Sequence, residues 1–107
     1  MQATAGQRRH EELFGAILRI FNRDIPCSHA PVRDDFVLGP GGLSPALTVK
    51  SITFRRELIG NAVPAKGTVV TLTTANKQRY DLKLWSGGIL ADGEIYDFMA
   101  VAADYKA

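Results

Sequence analysis

The sequence predicts a mainly β protein, a small antiparallel β-barrel or sandwich with an N-terminal amphipathic helix and a long Gly/Pro-rich loop. From residue 48 to residue 105, short alternating or β-branched segments are separated by turn residues, as is typical of such folds. Residues 8–23 instead repeat their apolar side chains at helical spacing. Because 107 residues is an ordinary length for one domain, residues 1–107 are expected to form a single domain.

The helix is predicted over residues 8–23, RRHEELFGAILRIFNR. Its apolar stripe consists of Leu13, Ile17 and Phe21 at a spacing of four, widened by Phe14 and Leu18. Acidic residues early in the segment and arginines late in it suit the helix dipole. Pro26 is then expected to end the segment.

Residues 24–47, which we call the arm, are predicted to be a loop. They hold four prolines and three glycines, and only a short piece at Phe36 to Leu38 could be regular. A connection longer than about 15 residues without its own structure is usually functional or disordered. The arm is therefore a candidate functional element.

The β-domain is predicted over residues 48–105. Its expected strands are TVKSITFRREL, TVVTLTT, RYDLKLW and EIYDFMAVAADY, with a short apolar piece at Ile89 and Leu90 between glycine turns. In the first strand Ile52, Phe54 and Leu58 share a face, which also carries Arg56. That arginine conflicts with a continuous buried face.

Composition excludes several classes of protein. The apolar stretches are far shorter than the ~20 residues of a membrane span, and the polar N-terminus lacks a signal-peptide core, so no membrane partner is expected. A net charge of +2 gives no basic footprint for nucleic acid, so no specific nucleic-acid sequence is expected as a partner. The single cysteine, Cys27, suits a reducing cytoplasm.

The segment DDFVLGPGGLSPAL, residues 34–47, is glycine-rich but does not match a phosphate-binding loop. No lysine follows Gly42 until Lys50, and Pro45 opposes the helix that a dinucleotide site requires. We therefore expect no cofactor here. The adjacent carboxylates Asp34 and Asp35 are expected to be solvated turn residues rather than an acid–base pair.

Cys27 and His29 could be interpreted as metal ligands or as a nucleophile with its base. Structural zinc takes four ligands, and only His10 could join them without carboxylates. A nucleophilic cysteine also needs a base that the fold must position. The pair is therefore expected to be incidental, and neither catalytic residues nor a metal site are predicted.

The apolar residues of the arm are the strongest interaction candidates. Phe36, Val37, Leu38 and Leu43 are too apolar for a passive linker. They are expected either to pack back on their own barrel or to become ordered against another subunit. Further polar candidates are the pairs Arg8 and Arg9, next to the helix, and Arg55 and Arg56, which could also be ordinary surface charge.

The order of the predicted elements also resembles that of a known protein family. The amphipathic ELFGAILRIF precedes a loop-rich stretch, and KGTVVTLTTANKQRYDLKLWSGGILADGEIYDF follows it. A strand opens after a turn at Lys66 and Gly67, and a polar hairpin, a Tyr-led strand, a Gly-Gly turn and a final strand come next. Over most of its length the chain thus resembles the lambda-type head–tail joining (tail-attachment) proteins of long-tailed phages, which are often carried in prophages.

The resemblance implies a structural protein without catalytic residues. It implies a ring of identical subunits in the virion neck, below the portal and head-completion proteins, that offers a docking surface to tail proteins. Assembly would take place in the cytoplasm of the bacterial host. The alternative is a small SH3-like or OB-like module that binds nucleic acid through Trp85, Arg55 and Arg56.

Overall fold

The computed structural model describes residues 15–106. In this part of the chain, seven β-strands and one 3₁₀-helix follow one another: β1 Ala16–Ile20, β2 Arg23–His29, β3 Val32–Gly39, β4 Gly42–Arg55, the 3₁₀-helix Arg56–Ile59, β5 Val69–Thr73, β6 Arg79–Ile89 and β7 Ile95–Ala102. No helix among these residues is long and apolar enough to cross a membrane.

Six of the strands form a closed antiparallel barrel in the order β2-β1-β5-β6-β7-β4. The barrel closes where β2 pairs with β4 through Ser28↔Thr53 and His29↔Ile52. Among residues 15–106, β3 pairs only with β4, so these two strands form a hairpin that is attached to the barrel. The prediction of a small antiparallel barrel is thereby confirmed.

The barrel interior is filled by alternate residues of its strands, because successive side chains in a strand point to opposite faces. The largest fully buried apolar side chains of this core are Leu18, Ile20, Val49, Ile52, Ile59, Val70, Leu72, Leu82 and Leu84. Val101 is also fully buried, but in a separate cluster with Val37 and Tyr105. Ile52 and Phe54 are buried as predicted. The strand that holds them ends at Arg55, and the 3₁₀-helix then turns Ile59 into the core. This turn leaves Arg56 exposed and removes the conflict seen in the sequence.

The predicted helix is wrong for residues 15–23. Residues 16–20 and 23–29 instead form the antiparallel hairpin β1–β2, with Phe21 and Asn22 at positive φ in its turn. Ala16, Leu18 and Ile20 point inward at a spacing of two, and the residues between them are exposed. Residues 8–14 of the predicted helix lie outside the described residues.

The predicted loop over residues 24–47 is also wrong, because the segment consists largely of strand. It contains most of β2, all of β3 and the beginning of β4. In the part of the chain that the structure describes, β2 has a strand neighbour on only one side at Pro26, and the hairpin stands outside the barrel at Pro45. A strand tolerates proline at such edge positions. The Gly-Gly turn expected at residues 87–88 likewise lies within β6.

Candidate interaction surface

The β3–β4 hairpin, residues 32–49, is paired from Val32↔Val49 at its base to Gly39↔Gly42 at its tip. β4 pairs with β7 only from Thr48 onward, so the segment 33–47 extends beyond the barrel. The described residues span 52 × 30 × 26 Å. The arm predicted from composition is therefore a projecting two-stranded ribbon.

The tip of the hairpin is the sequence Gly-Pro-Gly-Gly. Its last residue, Gly42, has a φ of 98°, a conformation that favours glycine. The glycine-rich stretch that raised the question of a phosphate loop thus serves to reverse the chain between two strands. It is a hairpin turn.

One face of the hairpin is apolar and exposed. Directly paired residues of two strands share a face, so Phe36 and Pro45 lie beside the pair Leu38 and Leu43. The exposed fractions are 65% for Phe36, 71% for Leu38 and 68% for Leu43, and Pro45 is exposed too. We call Phe36, Leu38, Leu43 and Pro45 the apolar face of the hairpin. Asp34 continues this face toward the barrel.

The opposite face of the hairpin packs on the barrel through Val37. This residue is buried against Val101 and Tyr105. The Tyr105 hydroxyl also donates a hydrogen bond of 3.3 Å to the Val37 carbonyl oxygen. These contacts fix the hairpin to the body of the protein and turn its apolar face outward.

Asp35 and Lys50 add a polar contact on the hairpin, with 3.3 Å between Nζ and Oδ2. The Phe36 amide donates to the Asp35 carboxylate at 2.8 Å. This backbone hydrogen bond, followed by the interaction with Lys50, lowers the pKa of Asp35 below its usual value. Asp34 and Asp35 therefore lie in β3 and not in a turn as expected, and as adjacent strand residues they point to opposite faces of the hairpin.

Of the predicted arginine candidates, Arg55 and Arg56 do not join this surface. Arg55 lies at the far end of β4, where its Nε is 2.8 Å from a Glu57 oxygen and a second nitrogen is 4.0 Å from Glu94. Arg56 donates to the Gly93 carbonyl oxygen at 3.2 Å. Arg8 and Arg9 lie outside the described residues.

An apolar groove of about 560 Å³ lies at the same end of the barrel as Arg55. It forms beyond Ser28 and Thr53, the point where β2 and β4 cease to pair. Its lining residues include Ile17, Pro26, Phe54, Leu58 and Ile95. The groove was not predicted from the sequence, because it depends on the separation of two strands that are distant in the chain.

Cys27 lines this groove but is itself buried. Burial raises the pKa of its thiol to about 12. His29 makes a hydrogen bond of 2.7 Å from Nδ1 to the Ala30 carbonyl oxygen. Among residues 15–106, no cluster of three His, Cys, Asp or Glu side chains could hold a metal ion.

The Cys27 thiol is expected to react poorly with a disulfide reagent in the folded protein. Only the thiolate reacts, and a pKa near 12 leaves a thiolate fraction at pH 8 that is at least roughly a hundredfold below that of an ordinary cysteine. Labelling with a chromogenic disulfide at pH 8 should therefore be at least that much slower in buffer than in denaturant. Equal rates in the two solutions would contradict the buried position of Cys27.

Trp85 is covered on its ring face. The Lys66 ammonium lies 4.2 Å from the ring centroid, and Tyr105 packs edge-on with its centroid 5.3 Å from that of Trp85. The tryptophan thus belongs to the small cluster that packs against Val37 and Ala46 of the hairpin.

No family model, curated protein or solved structure matches this chain significantly. The projecting hairpin and the groove are therefore interpreted from their own chemistry.

Proposed function

We propose that this protein is a structural subunit of a phage neck that joins the head to the tail by assembling into a ring. The observation that carries the proposal is the apolar face of the hairpin. Three large apolar side chains, each about two-thirds exposed, lie together on an element that projects from the barrel. Apolar side chains grouped in this way mark sites of protein–protein contact.

The backbone of the hairpin supports the same proposal. In the described residues β3 pairs only with β4, and residues 42–47 pair only with β3. Each projecting strand therefore has a free edge with backbone donors and acceptors. Free edges of this kind pair readily with strands of another chain.

The identity of the partners follows from the family resemblance. We propose contacts with further copies of this chain, with portal or head-completion proteins on one side, and with tail proteins on the other. The location is the virion neck, after assembly in the cytoplasm of the bacterial host. In this proposal the barrel is the rigid body and the hairpin provides the contact.

The alternative is a nucleic-acid-binding module, and a small closed barrel is a scaffold that such modules share. The side chains that would bind nucleic acid are engaged elsewhere. Lys66 covers the ring of Trp85, and Arg55 lies against two carboxylates. Base stacking needs an open aromatic face, so these contacts favour the structural role.

Immunogold labelling of tailed particles tests the proposal. We expect antibodies against this chain to label the junction of head and tail in particles from a strain that carries its gene. Particles from the same strain with the gene deleted are the control, and heads separated from tails are expected there.

Two results would contradict the proposal. In the first, the antibody detects the protein only in the soluble lysate, and the strain without the gene still forms intact particles. The second is tight binding of DNA by the purified protein with an affinity that falls steeply as salt rises, which would favour the nucleic-acid module.

A further inference from the structure

We infer that the outer edge of β3 is the docking site of the chain's own residues 8–14, which precede β1 and lie outside the described residues. The inference goes beyond the proposed function, because it concerns a contact within one chain and leaves the apolar face of the hairpin to partners. The sheet topology, the backbone groups of this edge and the charges along it support the contact.

The sheet topology directs residues 8–14 toward this edge. β2 and β3 follow each other along the same side of β4, with β7 on its other side; β2 pairs with β4 through His29, and β3 pairs with it from Val32 onward. β1 flanks β2 on the side away from β4 and begins with Ala16 beside Cys27. Because β1 and β2 are antiparallel, the chain before Ala16 approaches from the direction of β3.

The length of the segment matches the edge. At about 3.3 Å per residue, residues 8–14 span roughly 23 Å, as do residues 29–35 of the adjoining strands. The β1–β2 register, continued without a shift, places Arg9 beside Asp34 and Arg8 beside Asp35. A shift of one residue where β2 passes into β3 would still leave one arginine beside an acidic residue.

The outer edge of β3 offers backbone hydrogen-bond donors. Gly39 and Gly42 flank a two-residue turn, so they form a hydrogen-bonded pair, and hydrogen-bonded and non-hydrogen-bonded pairs alternate along the hairpin from there. The amides of Asp34 and Phe36 therefore point away from β4. The 2.8 Å hydrogen bond from the Phe36 amide to the Asp35 side chain agrees with this direction.

The outer edge of β4 is a poorer template for an added strand. By the same alternation, the nitrogen of Pro45 faces away from β3, and a proline nitrogen carries no hydrogen. Proline at an edge is one way in which proteins discourage strand addition, and cover by another segment is a second way. β3, Val32–Gly39, contains no proline. Its edge is therefore the one that an added strand fits.

Charge fits the same contact. Asp34 is exposed and has no ion-pair partner among residues 15–106. Asp35 is half-buried and lies 3.3 Å from Lys50. Arg8 and Arg9 would bring two positive charges to these two carboxylates. Opposite charges on directly paired strand residues stabilise the pairing.

Cross-linking within one chain tests the contact. In the full chain with Cys27→Ala, we introduce His10→Cys and Arg33→Cys, which the continued register places side by side, and add a short bismaleimide. Both aspartates and both N-terminal arginines stay in place. The matched control combines His10→Cys with Val63→Cys, because Val63 is exposed and follows the 3₁₀-helix beyond the other end of β4. The first pair should give at least tenfold more intramolecular product than the control.

Two results of this experiment would overturn the inference. One is intramolecular product no greater than that of the control. The other is covalent dimer in place of intramolecular product, which would assign the edge of β3 to a second chain. Neither result affects the label expected at the head–tail junction, so the inference and the proposed function can fail separately.

Amide hydrogen exchange tests the contact without cysteine variants. We expect the Asp34 amide to exchange at least tenfold more slowly in the original chain than in a variant with Arg8→Glu and Arg9→Glu. The Leu43 amide, at the outer edge of β4, should exchange at the same rate in both chains. Equal exchange of the Asp34 amide in the two chains would overturn the inference.

Discussion

Replacement of Phe36, Leu38 and Leu43 by serine in one triple variant is expected to abolish self-assembly and to leave the barrel folded. The three side chains are largely exposed in the single chain, so their loss removes little of the core. Burial of each in a contact contributes at least about 1.5 kcal/mol, or about 4.5 kcal/mol for the three. The association constant is then expected to fall by about a thousandfold. Sedimentation velocity measures the association, and thermal unfolding measures the fold.

The matched control is serine at Val63 and Val69. These residues are exposed by 75% and 64%, but they lie outside the hairpin and do not line the groove. The control variant should therefore assemble like the original chain. If the triple variant still assembled, the apolar face would not be the contact. A large drop in its melting temperature would instead show that the hairpin is part of the core.

Substitution is a sharper test than deletion of the hairpin. A chain without residues 34–47 loses Val37 as well, and this residue covers Val101 and Tyr105. The deletion would thus have two effects at once, because it removes the contact and also exposes part of the barrel surface. Serine substitutions on the apolar face leave Val37 and its hydrogen bond from Tyr105 in place.

The β-domain could be predicted because its signals are local. β5 is almost entirely β-branched, and β6 alternates Tyr80, Leu82 and Leu84 with polar residues, so period and composition agree. The structure places Leu82 and Leu84 in the core and Tyr80 packed against it. For β5 and β6 the sequence pattern alone is sufficient to predict a strand and the face that it buries.

Over residues 15–23 the predicted helix is wrong because its apolar pattern does not discriminate between a helix and a strand. Ile17 and Phe21 are four residues apart, which places them on one side of a helix but also on one side of a strand. The deciding positions are Ala16, Leu18 and Ile20, which alternate inward in β1. Their burial depends on pairing with β2 and β5, a tertiary effect that outweighs a helical period.

The prediction of a loop for the arm is wrong because prolines and glycines, which usually interrupt regular structure, are compatible with strands here. In the ribbon outside the barrel, each strand has one side without a strand neighbour from residues 15–106, so a missing N–H at Pro45 is tolerated. Together with Val37, the residues Phe36, Leu38 and Leu43 are interaction candidates because they are too apolar for a passive linker. Their exposure could be learned only from the pairing register, which places Val37 on the opposite face.

Alanine at Gly87 is expected to destabilise the barrel strongly. Gly87 lies in β6 next to the register shift between Leu84 and Ser86, at a φ of 125°. A Cβ atom there would lie 2.2 Å from the Asp97 carbonyl oxygen and 2.8 Å from the Phe98 Cα. These are backbone atoms of β7, so β6 must move away from β7. Strain and overpacking together should lower the free energy of unfolding by at least about 3 kcal/mol, measured by urea denaturation.

Gly88 provides a matched control in the next position. A Cβ atom at Gly88 would have no neighbour within 4 Å, and its φ lies outside the positive region. Gly88→Ala should therefore change the free energy of unfolding by less than about 1 kcal/mol. The pair also tests the register of β6 on β7, since a slip by one residue turns every side chain to the other face. A large loss at Gly88 with a small loss at Gly87 would mean that the two strands pair one residue away from Gly87↔Phe98.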